Sequence, residues 1–286
     1  MLNVPISKQI LNSFYYIQAR SFYWLIIWSR LFLNELRLMS YMYWHYKASY
    51  IINALMTTAD FIWWMLLIDG GTLVASKIAP LAIGYITWIY ANYIIYDANY
   101  LMIETSQTGV LEQIYLSAVP LYLHLLGRFA AGAIICTLEL AVMMLLLFYF
   151  FPVHIPVSIF GVAILVITII GICGFAFMIA GIGLVFKKSQ SFCYMLLNGL
   201  LFLNGSVLPL ESMPIWVQYI SKTLPTTQGI TVLRAALFDG ETLAQSLKNG
   251  SLIVLIANSI FYLVLGWFVL RRCEIYAQEQ GIIGHY

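Results

Sequence analysis

Residues 157–185, VSIFGVAILVITIIGICGFAFMIAGIGLV, run for 29 positions without a charged side chain. A helix needs about 20 mostly apolar residues to cross the hydrocarbon core of a bilayer. This stretch is long enough to span with tilt. Working outward from it, five further apolar runs occupy roughly 48–68, 79–103, 129–151, 192–208 and 251–270, the run at 192–208 being the shortest. Composition agrees: 62% of residues are hydrophobic, 9% are charged, and the mean hydropathy is +0.89, against about 25% charged residues in soluble domains. The sequence therefore predicts an all-α polytopic membrane protein with six transmembrane helices. With 14 basic and 12 acidic residues there is no basic patch for nucleic acid.

Six spans put both termini on one side. If that side is cytoplasmic, Lys8, Arg20, Arg30, Arg37, Lys47, Arg128, Lys187, Lys188, Arg271 and Arg272 lie inside. Lys77, Lys222, Arg234 and Lys248 lie outside. The positive-inside rule selects this orientation. The chain reads as one transmembrane domain: a cytoplasmic interfacial segment at 1–47, the bundle at 48–270 and a cytoplasmic tail at 271–286. The start, MLNVPISKQI, lacks a basic stretch followed by a cleavable apolar run, so the first span is expected to target the chain. Cys136, Cys173, Cys193 and Cys273 have no CxxC spacing and read as packing residues.

Within 11–47, charges at Arg20, Arg30, Glu35 and Arg37 interrupt any span. Leu25, Trp28, Phe32, Leu36 and Met39 recur at three- and four-residue steps, with Arg30, Asn34 and Arg37 on the other face. That pattern predicts an amphipathic helix lying in the interface; the alternative is a seventh, broken span.

The run ETSQTGVLEQIYLSAVP, residues 104–120, interrupts the apolar chain between spans two and three. A helix starting at Thr108 or Gly109 would put Val110, Leu111, Ile114 and Tyr115 on an apolar stripe and keep Glu112 and Gln113 wet. It should end at Val119, before Pro120, which opens a second helix running to Arg128 and into span three. Such an elbow suits docking to a soluble partner, or it is an interfacial connector. On the opposite side, residues 206–250 carry Pro209, Pro214 and Pro225 and predict short helices at about 214–223 and 227–238. Trp216, Tyr219, Ile220, Leu233 and Leu237 would be costly to leave in water, so this element is expected to form a partly buried cap.

Three acids fall inside spans: Asp60, Asp97 and Glu139. Each would cost about 2.5–3.5 kcal/mol at the bilayer centre and should face protein or a watery cavity. They read either as a polar lining for a cationic or hydroxyl-rich substrate, or as acids hydrogen-bonded to Thr57, Thr58, Asn92 or Thr137, no basic residue being evident at their depth. Tyr85, Trp88, Asn92, Tyr96 and Asn99 share one helical face, which could guide an amphipathic cargo by stacking or serve packing. Asn198-Gly199 and Asn204-Gly205 are expected to loosen span five. The histidines have no partner at metal spacing.

ETSQTGVLEQIYLSAVPLYLHLLGR resembles the cytoplasmic segment of type-two ABC export permeases, with Glu104, Gly109, Leu111, Glu112, Ser117, Pro120 and Arg128 in the matching places. NGSVLPLESMPIWVQYISKTLPTTQGITVLRAALFDG is similar to the later signature of the same family through Gly205, Pro209, Met213, Pro214, Trp216, Pro225, Arg234 and Gly240. The resemblance implies a six-span permease that pairs, as a homodimer, in the cell membrane, the inner membrane of a bacterium. Two copies of a cytoplasmic ABC ATPase would dock on the 108–118 coupling helix and carry the ATP and magnesium, driving a drug, lipid, glycan or peptide-like amphiphile outward. The chain itself is expected to bind no cofactor. It lacks G-x-x-x-x-G-K-[ST], the nearest run being GIGLVFKKS at 181–189. The alternative is an ion-coupled secondary transporter using the buried acids as a relay.

Overall fold

The computed structural model describes residues 27–68, 75–117, 119–151, 156, 158–186 and 188–281. Every regular element among them is helical. Helix α1 covers 27–45 and turns at Tyr46 into α2, Lys47–Ile68. Then follow α3 (Ala75–Gln107), α4 (Val110–Leu116), α5 (Leu121–Phe150), α6 (Ile159–Val185), α7 (Gln190–Leu203), a 3-10 turn (Leu210–Ser212), α8 (Ile215–Thr223), α9 (Pro225–Phe238), α10 (Leu243–Lys248) and α11 (Ser251–Glu279). Five of these, α2, α3, α5, α6 and α11, are long and apolar enough to cross a membrane.

The expected fifth span, 192–208, is the exception. Helix α7 has 14 residues, about 21 Å at 1.5 Å per residue, against a hydrocarbon core of about 30 Å. Asn204-Gly205 stops it. Gly205 takes the left-handed conformation, φ 72°, while the Asn204 side chain accepts from the Ser206 N–H at 3.0 Å, and the Ser206 hydroxyl donates to the Leu201 carbonyl at 2.7 Å. A left-handed glycine with its neighbours satisfied ends a helix. The pair therefore forms a buried turn where the sequence pointed only to a loosened helix; Asn198-Gly199 stays helical.

One other boundary moves: helix α3 continues past 103 to Gln107. Helix α5 begins at Leu121, directly after Pro120, and runs through Arg128 into the span without a break, as Pro120 predicts. At 33 and 30 residues, α3 and α5 both exceed the length of about 20 that a crossing needs.

Helix α6 is the axis of the bundle and packs against α11, α3 and α9. Small residues allow this. At the α6–α11 crossing a Cβ on Gly266 would lie 2.0 Å from the Gly174 carbonyl oxygen, and one on Gly174 would lie 2.3 Å from Tyr262 backbone atoms. Close backbone approach is the usual route to helix association in lipid, where no hydrophobic force acts between helices. Helix α9, with a buried face from Pro225 to Leu233, wedges between α3, α6 and α11. The expected helices at 214–223 and 227–238 are thus present as α8 and α9, and α10 is an addition. Their burial differs: Leu233 is in the core, whereas Trp216, Tyr219 and Ile220 on α8 are exposed, on a face suited to the headgroup layer.

Helix α1 lies on α5. Phe32, Leu36, Met39 and Tyr43 meet Ala131 and Ile135, while Arg30, Asn34 and Arg37 are exposed, as the periodicity predicts. The preceding part of that segment, including Leu25, lies outside the described residues.

Candidate functional site

The elbow is built by a left-handed glycine and a hydroxyl cap. Helix α3 closes with the Thr108 N–H and hydroxyl both donating to the Glu104 carbonyl, at 3.0 and 2.9 Å. Gly109 then adopts φ 73°, ψ 1°, which side-chain-bearing residues rarely reach. Helix α4 follows and ends at Ser117, whose hydroxyl donates to the Ile114 carbonyl at 2.7 Å and accepts from the Val119 N–H at 3.3 Å. Pro120, extended at φ −67°, ψ 144°, stands before α5. The helix expected over 108–118 is thus a compact Val110–Leu116.

One face of α4 is anchored. Leu111 is fully buried among Leu184 of α6, Ala277 of α11 and its neighbour Tyr115. The Tyr115 hydroxyl is buried, and burial, reinforced by nearby Glu274, pushes its pKa up, so the phenol stays protonated. The opposite face is free of packing: Val110, Glu112, Gln113 and Leu116 are exposed, Leu116 at 87%. Glu104 is exposed as well.

A Cβ on Gly109 meets nothing within 4 Å, so only backbone strain opposes a substitution. Gly109→Ala should destabilise by about 1 kcal/mol, whereas Gly199→Ala, in the helical interior of α7 and equally open, should stabilise by about 0.5–1 kcal/mol. Thermal unfolding of the two variants in detergent should show opposite shifts. Shifts of one sign would contradict the elbow geometry.

Just above the elbow, Arg128 of α5 reaches Asp97 of α3 with two bonds, Nε to Oδ2 at 2.8 Å and Nη2 to Oδ1 at 2.9 Å. Its Nη1 lies 3.4 Å from Glu35 Oε2 on α1, and His124 Nε2 is 3.6 Å from Glu35 Oε1. The Arg128, Asp97 and Glu35 side chains are only 12–17% exposed. A fork-on-carboxylate bond of this kind is both strong and directional, and here it binds α1, α3 and α5 into one unit. Asp97 therefore has the basic partner that was not evident in the sequence, and Arg128 belongs to this cluster as well as to the elbow sequence.

The other two intramembrane acids part company. Glu139 is buried and accepts from Asn53 Nδ2 at 3.2 Å, its other oxygen having no partner among the described residues. Thr137 is engaged with the Tyr90 hydroxyl at 2.7 Å. Asp60 is exposed, near the middle of α2. Beside it the aromatic face of α3 serves α2 and α7: Tyr85 packs on Phe61, the Trp88 indole donates to the Leu197 carbonyl at 3.1 Å, Asn92 is half-buried, Tyr96 packs on Tyr194 and Asn99 accepts from the Ser189 hydroxyl at 2.7 Å.

At the cap end, Pro209 precedes the 3-10 turn and Pro214 precedes α8. The Met213 carbonyl accepts from the Gln218 amide at 2.9 Å. Pro225 opens α9 against Gly171. Arg234 donates to the Pro80 carbonyl at 3.0 Å, and its guanidinium fills the space over Gly84 beside Ser206. Arg234 thereby pins α9 to α3. Trp216 is exposed at 67%. No group of three or more His, Cys, Asp or Glu among the described residues could hold a metal.

A search of curated proteins found no match to the chain. A family model described as ABC-2 type transporter matches residues 22–238, most of the chain and every element from α1 to α9. With a helical bundle, an anchored elbow and a proline-divided cap in the matched region, the chain belongs to the ABC-2 type transporter family and is the permease component of an ABC transporter.

Proposed function

We propose that this permease works as an exporter in the cell membrane, pairing as a homodimer above two copies of a cytoplasmic ATPase, with the short α7 and the turn that follows it serving as a sixth crossing so that both termini lie in the cytoplasm. The family implies a partner ATP-binding subunit in general terms. The observation that carries the finer reading is the two-faced α4: Leu111 fixes it to α6 and α11, while Val110, Glu112, Gln113 and Leu116 are left for a partner. Exposed apolar residues rimmed by polar ones mark a protein-binding surface.

Force applied to α4 would have defined outlets. Gly109 joins it to α3, Ser117 and Pro120 join it to α5, and Leu111 rests on α6 and α11. Arg128, Asp97 and Glu35 keep α1, α3 and α5 in register. A shift of the ATPase pair on ATP and magnesium binding would thus reach most of the bundle as a rigid-body motion.

Asp60 supports pairing. A mid-span carboxylate facing lipid is disfavoured by about 2.5–3.5 kcal/mol, so a second protomer or a watery passage between protomers is expected to cover this face of α2. Exposed Trp63, and Tyr194 beside Tyr96, lie on the same α2 and α7 elements, which suits an amphipathic cargo. An ion relay finds less support, because Asp97 is held by Arg128.

The test is purification of the tagged chain from its native membrane in mild detergent, with mass spectrometry and an ATPase assay. A stoichiometric ATPase subunit is expected. Glu112→Arg combined with Leu116→Asp should weaken its retention at least about tenfold, a loss of about 1.4 kcal/mol, with the bundle still folded. A chain that purifies alone, or a tip variant that keeps its ATPase, would overturn the coupling role.

A further inference from the structure

Two pairs of side chains join the elbow to the end of α11. On α4, Leu111 and Tyr115 stand one turn apart on the same face, and on α11 Glu274 and Ala277, three residues apart, do likewise. Leu111 and Ala277 share a buried cluster against which Tyr115 packs. The second pair is polar. Glu274 is only 4% exposed, an uncommon place for a carboxylate, and one of its oxygens accepts from Arg271 Nη1 at 3.2 Å. The Arg271 side chain is more than half exposed, and such a wetted ion pair is too weak to account for burying the acid. The Tyr115 hydroxyl is buried with no partner in hydrogen-bond geometry among the described residues, which is costly unless an acceptor is within reach. Glu274 is close enough to act on this phenol, which burial and the nearby carboxylate together keep protonated. A donor without an acceptor thus stands beside a buried acceptor at the α4–α11 contact.

Resting on the coupling role proposed for α4, we propose that Glu274 is the acceptor for the Tyr115 hydroxyl and so a positioning residue for the elbow, and that α11 carries elbow movement straight to α9. One contact would let α4 pivot on Leu111. Two contacts, a turn apart, fix the direction of its axis. The start of α5 is not part of this seat: a cavity of about 250 Å³ has Ser117, Pro120 and Leu121 on one side and Arg271, Glu274 and Gln278 on the other. That space lets α4 tilt with α11 rather than with α5. From the elbow α11 extends over 29 residues, about 43 Å. At its far end Leu252 and Leu255 share a buried cluster with Val232 and Leu233 of α9. A helix packed at both ends shifts as a rigid element, so a push on α4 reaches the cap without passing through α3 or α5.

The test begins with hydrogen–deuterium exchange of the full chain in mild detergent, read at residues 110–117. Tyr115→Phe, which deletes one oxygen and keeps the ring, and Glu274→Leu should each speed exchange about fivefold, the change in local opening that one hydrogen bond carries. The double variant should be no faster than either, because the two residues form one interaction. Glu274→Gln, whose amide oxygen still accepts, should stay close to the parent, as should Arg271→Gln. Unchanged exchange in Tyr115→Phe would overturn the bond, as would effects that multiply in the double variant.

The second readout takes the complex with its ATPase subunit, with and without ATP, magnesium and vanadate, and follows residues 225–238. Tyr115→Phe should still bring down the ATPase, since Val110, Glu112, Gln113 and Leu116 are untouched. The nucleotide-induced change in exchange at α9 should nonetheless fall several-fold, and Glu274→Gln should restore it relative to Glu274→Leu. No nucleotide-induced change at α9 in the parent, or one equally large in Tyr115→Phe, would overturn the relay through α11. A chain that purifies without an ATPase would instead overturn the coupling role of α4, and the exchange series on the chain alone would still decide the Tyr115–Glu274 bond.

Discussion

Arg128→Ala will destabilise the bundle by about 3–5 kcal/mol, the range found when one partner of a buried ion pair is removed and the other charge remains. Two carboxylates are stranded in this case, Asp97 at 2.8 Å and Glu35 at 3.4 Å. Water cannot easily replace the guanidinium, because the side chains are largely covered. Arg128→Lys should recover only part of the loss, since an ammonium cannot make the parallel pair of bonds to Asp97. The triple variant Arg128→Met, Asp97→Leu, Glu35→Gln removes every charge together, and should be far closer to the parent than Arg128→Ala, because burying ions is itself unfavourable. Thermal or denaturant unfolding in mixed micelles would read the series. An Arg128→Ala protein within about 1 kcal/mol of the parent would mean that the cluster is solvated and behaves as a surface pair.

The same cluster marks the limit of what the sequence discloses. Uninterrupted apolar runs locate spans because the bilayer imposes a minimum length, and Pro120, Pro214 and Pro225 locate helix starts because proline cannot donate. The pairing of Asp97 with Arg128 is a matter of register between two helices, on which composition and periodicity are silent. A signal was nonetheless present. Both residues stand about 10–15 Å up their helices from the elbow, so folding the chain back at Gly109 to Pro120 brings an acid and a base to similar depth. Helix α7 escaped for the opposite reason. Its hydropathy continues through Val207 and Leu208, and it is the left-handed Gly205 with the side-chain bonds of Asn204 and Ser206 that ends the helix before them. The exposed position of Asp60 was equally hidden, since which face of α2 meets α5 depends on contacts such as Asn53 with Glu139.

Gly266→Val should have the largest effect of any single change and prevent the bundle from assembling. The position allows no side chain: a Cβ there would sit 2.0 Å from the Gly174 oxygen and 2.7 Å from its carbonyl carbon, and both are backbone atoms inside a helix that cannot step aside. Relief requires α11 to move away from α6. That movement would open the stacked Phe175–Tyr262 pair, 4.6 Å between centroids, and draw Leu270 out of the main core. It would also withdraw Ala277 from Leu111, loosening the floor on which the elbow rests. Packed interiors respond to overfilling by such wholesale shifts, and the penalty should exceed about 4 kcal/mol, beyond the ordinary range for point substitutions. Gly199→Ala, with open space around its Cβ, is the control for glycine replacement as such. In size-exclusion chromatography the control should elute as a monodisperse peak and Gly266→Val as aggregate or not at all. A monodisperse Gly266→Val protein with a parental melting temperature would place the α6–α11 crossing elsewhere, and with it the support beneath α4.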